Sequence, residues 1–170
     1  NLTVVVAADS MDLNREEMYQ HPVKVQAVAD LPTVDANDVV VMEYGVETTL
    51  NITVGRSGDD DDSESLSVRI TVPLDDGRPV GNISATSTNE VKVTPGPNPG
   101  EYLFIPNATD FETQQDYLNS FLSTSVTFIA REDWTGVLTG EAGIKVEAIA
   151  TEGVSGMDLA PNNSTRDGTG

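Results

Sequence analysis

Five carboxylates and a hydroxyl crowd into six residues at Asp59-Asp60-Asp61-Asp62-Ser63-Glu64. Such a set is hard, anionic and built of oxygen alone. Calcium (Ca2+) takes roughly six to eight oxygen ligands in flexible geometry, which side chains and turn carbonyls together supply, whereas magnesium dehydrates reluctantly and demands a stricter octahedron. The segment is therefore expected to bind calcium as a cofactor. Charge over the whole chain argues the same way. With 28 acidic and 9 basic residues the net charge is -19, a self-repulsion that bound cations relieve.

The same charge excludes a nucleic-acid binder, whose affinity rests on Lys and Arg neutralising phosphates. No run reaches the roughly 18 apolar residues of a membrane helix, so no membrane insertion is expected. Catalysis finds little to work with. The single histidine, His21, precedes a proline at the start of a strand, cysteine is absent, and no Gly-x-Ser-x-Gly elbow presents a serine. Acidic pairs abound, but none stands in an apolar setting that would raise a pKa for glycosidase chemistry. The chain is read as a non-enzyme.

Asn-x-Ser/Thr sequons occur at Asn1, Asn51, Asn82, Asn107, Asn162 and Asn163, six of eleven asparagines. With 30 Ser and Thr in 170 residues, chance would place about two, so N-linked glycans and an extracellular or cell-surface location are expected. Asn51 alternates with Leu50 and Ile52 and should face solvent. Asn82 and Asn107 sit beside Gly81 and Pro106 in expected turns, and adjacent Asn162 and Asn163 do not both carry glycan.

These residues need a frame, and the patterning describes an all-β one. Apolar residues two apart mark strands at 48–54, 65–72 and 90–94. Further strands are expected at 39–42, 101–105, 125–130 and 143–150, with turns at 55–62, 73–79, 95–100 and 133–136. About seven short strands at this spacing make an antiparallel β-sandwich. Phe111, Tyr117, Leu118, Phe121 and Leu122 fall near helical spacing and predict one short helical segment near 110–122. Trp134, the only tryptophan, is expected to plug the core, and Asp133 to form its turn.

The two ends of the chain resemble each other. Leu2-Thr3-Val4-Val5-Val6-Ala7-Ala8 leads into Met11-Asp12-Leu13, and Ile144-Lys145-Val146-Glu147-Ala148-Ile149-Ala150 leads into Met157-Asp158-Leu159. A period of about 140 residues is too long for a solenoid and makes the unit a whole domain. Residues 1–34 then read as the C-terminal strands of a preceding repeat plus its linker. Residues 35–170 read as the next repeat lacking its last strand. Val23, Val25 and Val28 belong to the inter-repeat strand within 22–30, which is expected to pack on a sheet that residues 35–150 do not complete alone.

Five motifs, in order, carry a resemblance. They are Asp60-Asp61-Asp62-Ser63-Glu64-Ser65-Leu66-Ser67-Val68, Glu101-Tyr102-Leu103-Phe104-Ile105-Pro106, Asp133-Trp134-Thr135-Gly136, Ala150-Thr151-Glu152-Gly153 and Val25-Gln26-Ala27-Val28-Ala29-Asp30-Leu31-Pro32. Together they resemble the immunoglobulin-like or cadherin-like repeats found in tandem in giant calcium-dependent, RTX-type adhesins. Two features depart from that pattern: a fourth Asp replaces the glycine usual in the acidic turn, and the dense sequons point to a glycosylated, eukaryotic version. The resemblance implies an immunoglobulin-like/cadherin-like fold and calcium where domains join, with Asp30, Asp35, Asp38 and Glu43 at that junction. The expected function is a structural link in an extracellular fibre or adhesin, its partners being neighbouring copies of the repeat. The alternatives are a terminal carbohydrate- or surface-binding module, and a filament subunit joined by donor-strand exchange. A binding module needs an exposed aromatic platform, and the four Phe, four Tyr and one Trp stand mostly at strand positions.

Overall fold

Alternation along Glu64-Ser65-Leu66-Ser67-Val68-Arg69-Ile70-Thr71 produces the central strand of the molecule, with Leu66, Val68 and Ile70 buried and the residues between them turned outward. The computed structural model describes residues 2–6, 19–23, 31–36, 44–55, 64–136, 138, 142–152 and 163–168. The strands are β1 (Leu2–Val6), β2 (Tyr19–Val23), β3 (Thr33–Ala36), β4 (Glu47–Thr49), β5 (Ile52–Gly55), β6 (Glu64–Thr71), β7 (Leu74–Asp75) and β8 (Arg78–Pro79). They continue as β9 (Gly81–Ser84), β10 (Val91–Pro95), β11 (Glu101–Pro106), β12 (Thr127–Ala130), β13 (Lys145–Glu152) and β14 (Asn163–Gly168), with one helix, α1 (Phe111–Thr124), between β11 and β12.

Among the described residues every strand pair is antiparallel and there is a single helix, so the fold is all-β. The largest sheet runs β10-β11-β6-β13-β14, with β4-β12-β9 forming a second and β3-β5, β7-β8 and β1-β2 forming two-stranded ribbons. In the large sheet Ile70 stands between Tyr102 and Val146, and Val68 between Phe104 and Ala148, so apolar side chains line up across strands. Phe128 of β12 brings the second sheet into the same buried cluster, which also takes Ile52 and Val54 from β5 and Leu118 and Leu122 from α1.

Helix α1 starts at Asp110, whose carboxylate accepts the N–H of Thr113 at 2.8 Å, and it buries Phe111, Gln114, Leu118, Phe121 and Leu122 on one stripe. It packs on β5, β6 and β11. Phe121 meets Phe104 with ring centroids 6.1 Å apart in a tilted pair.

Several sequence expectations are refined. The run 48–54 is not one strand: Asn51, at φ 48°, breaks it into β4 and β5, which join different sheets. Asparagine tolerates this left-handed conformation where most side chains do not, so the chain turns at the residue that was read as mid-strand. Asn82, expected in a turn, lies within β9 opposite Ile129. β3 starts at Thr33, ahead of the boundary drawn after residue 34, and pairs with β5. Residues 39–42 lie outside the described residues.

Candidate functional sites

Glu64, the last member of the acidic segment, opens β6 and is only 8% exposed. The β6–β13 register sets it directly opposite Glu152, and next to it the Ser65 hydroxyl donates to the Thr151 carbonyl at 3.3 Å. Glu64 and the Thr151-Glu152 part of the Ala-Thr-Glu-Gly motif, far apart in sequence, thus stand in register at one end of the β6–β13 pair. The other end of the segment leaves β5 at Gly55, opposite Thr33. Asp59, Asp60, Asp61, Asp62 and Ser63 lie outside the described residues, as do Asp30, Asp38 and Glu43. Asp35 is exposed on β3, opposite Thr53. Among the described residues no group of three or more His, Asp or Glu is placed to hold a metal.

Of the sequons, Asn51, Asn82 and Asn107 are all solvent-exposed. Asn163 opens β14, opposite Thr151, while Asn1 and Asn162 lie outside the described residues. Asn107 is the most firmly held. Its backbone N–H donates to the Glu90 carbonyl at 2.7 Å and its side-chain Nδ2 to the Asn89 carbonyl at 3.1 Å. It borders a surface cleft of about 550 Å³ that Ser87, Thr88, Asn89, Lys92, Ile105 and Pro106 also line. Ser87 is tied to the edge strand β10: its hydroxyl accepts the N–H of Val93 at 2.9 Å and stands 3.3 Å from its carbonyl.

Of the inter-repeat strand, Val23 ends β2 opposite Leu2, and Val25 and Val28 lie outside the described residues. His21 faces Val4 across the same ribbon. On β13, the edge away from β6 carries β14 of the same chain. Near each end of the chain two strands consecutive among the described residues thus pair antiparallel as a hairpin, β1 with β2 and β13 with β14. In each, the Met-Asp-Leu sequence lies between the strands and begins five residues after the first strand ends.

Asp133 does more than shape its turn. Arg131 donates from Nε to Asp133, from one terminal nitrogen to the Pro79 carbonyl at 3.1 Å, and from the other to Asp75 at 3.5 Å, while Arg78 reaches Asp133 at 3.2 Å. The Arg131 side chain holds the Asp133 carboxyl below the usual carboxylate range. Together these bonds clip the β7–β8 tip, turned by Asp76 and Gly77 at φ 50° and 75°, against residues 131–133. Trp134 packs against the core, as expected.

Two residues that sequence reasoning passed over are the amides on α1. Gln114 accepts the Leu66 N–H at 2.6 Å and donates to the Ala108 carbonyl at 3.2 Å, and Asn119 bonds both the N–H and the carbonyl of Val54 at 2.7 and 3.0 Å. The available signal was an amide at position 114, on the apolar stripe. No helix among the described residues is long and apolar enough to cross a membrane. Comparison with known protein families, with curated proteins and with solved structures finds no match.

Proposed function

We propose that this chain is a structural link in an extracellular fibre or giant adhesin, built from tandem immunoglobulin-like, calcium-stabilised and glycosylated units. One observation carries the reading: the chain starts with a hairpin laid out like the one with which it ends. The C-terminal hairpin is part of a domain, because β13 pairs with β6 along its whole length. The N-terminal one pairs within itself as a two-stranded ribbon, and an isolated ribbon of that kind is only marginally stable in water. A hairpin of domain type at the head of the chain makes sense as the closing element of a preceding unit, with residues 31–32 leading into the next.

The oxygen-rich segment Asp59 to Glu64 supports calcium as the ion that stiffens each unit, and the three exposed sequons support a glycosylated flank. A terminal sugar-binding module is less well served, since Trp134 is packed against the core and Tyr44, 58% exposed, is the one aromatic among the most exposed large apolar side chains described. Electron micrographs of the native assembly, labelled with an antibody to residues 64–136, test the reading. Label recurring at regular intervals along a filament is the expected result, and a single label at a tip would favour the binding module instead.

A further inference from the structure

The cleft beside Asn107 has a built shape but no assigned occupant. Lys92 and Ile105 are directly paired across β10 and β11, so their side chains share one face and form an apolar strip. Ile105, next to the end of β11, is 38% exposed, one of the few large apolar side chains described that lie this open to solvent. Thr88 also lines the cleft, and its hydroxyl oxygen accepts the N–H groups of Glu90 and Val91 at 3.2 and 3.0 Å while its O–H retains the capacity to donate. An apolar strip flanked by a hydroxyl donor matches one face of an N-acetylated sugar ring, with its acetyl methyl and its ring oxygens.

The same cleft is bordered by the amide that would carry such a sugar. Asn107 begins the Asn107-Ala108-Thr109 sequon, and its Nδ2 donates a single bond, to Asn89. Transfer of a glycan replaces one of the two Nδ2 hydrogens by a bond to the sugar C1. The displaced proton and the lipid-linked pyrophosphate of the donor depart, and the remaining N–H keeps its bond to Asn89. We propose that the first N-acetylglucosamine of a glycan on Asn107 lies in this cleft, over Ile105 and the aliphatic stem of Lys92, and there covers the open strip. This rests on the glycosylated reading given above and adds to it a seat on the protein surface.

The test uses the full chain secreted from a glycosylating eukaryotic host. Mass spectrometry should find Asn107 occupied, and nuclear Overhauser contacts should join the sugar's acetyl methyl to the Ile105 methyls. Thr109→Ala, which removes the sequon but leaves the Asn107 bonds in place, should lower the melting midpoint by about 2 °C. Trimming the glycan to one sugar should leave the midpoint unchanged. In a chain carrying Ile105→Ser the effect of Thr109→Ala should vanish. An occupied Asn107 with no contact to Ile105 and an unmoved midpoint would overturn the seat while leaving glycosylation standing, a bare Asn107 would overturn the seat, and bare Asn51 and Asn82 beside it would overturn the glycosylated reading as well.

Discussion

Gly81 shows how little room single residues have. A Cβ built there would run into the Phe128 ring and the Ile129 carbonyl, so the aromatic that anchors the second sheet is packed directly on a bare backbone. Gly81→Ala is therefore expected to cost about 2–3 kcal/mol, read as a lowered denaturant midpoint with unchanged slope. Asp110 gives a prediction in pH. The Thr113 hydroxyl and backbone N–H hold its pKa below the ordinary carboxylate value of 3.8, so the folded state favours the charged form more than the unfolded state does. Its contribution is thus present above pH 3.8 and is lost as pH falls through the lower folded value. The stability advantage of the wild type over Asp110→Ala, measured by denaturation at a series of pH values, should hold from neutrality to about pH 5 and shrink below it. An advantage that grows on acidification would contradict the capping geometry.

Among elements, α1 decides whether the strand ends are satisfied. Asn119 supplies Val54 with both halves of a backbone pair, on the side of β5 that does not face β3. Asn119→Ala leaves that N–H and carbonyl without their partners and should destabilise by about 1–3 kcal/mol, whereas a helix held by apolar contact alone would lose far less. Chemical denaturation of this variant distinguishes the two. The apolar stripe of α1 was legible because Phe111, Leu118, Phe121 and Leu122 recur at helical spacing. The duty of Gln114 and Asn119 was not, because it depends on which strand lacks a neighbour, a property of topology and not of local pattern. β6 and β10 were legible from alternation because each buries one face, and β11 and β13 were expected as apolar runs between turn signals. β14, Asn163-Ser164-Thr165-Arg166-Asp167-Gly168, has no apolar alternation and gave no signal, and β4 and β5 looked like one strand because alternation says nothing of a left-handed asparagine between them.

At the scale of the molecule, a net charge of -19 and two matching hairpins have to be explained together. On the proposed reading, a strongly acidic surface keeps neighbouring units apart except where cations are held, and calcium on the Asp59 to Glu64 segment would stiffen each unit. In the proposed array the hairpins would mark where one unit closes and the next begins, a boundary read from the likeness of the two chain ends. This account is tested most directly by stretching single molecules of the native protein. Tandem units of about 140 residues should unfold one after another in a sawtooth of equal steps, each adding about 450 Å of contour length, since an extended residue spans about 3.4 Å and the folded width is subtracted. One isolated rupture, or steps of unrelated length, would contradict the claim that the chain is a link in a row of like domains.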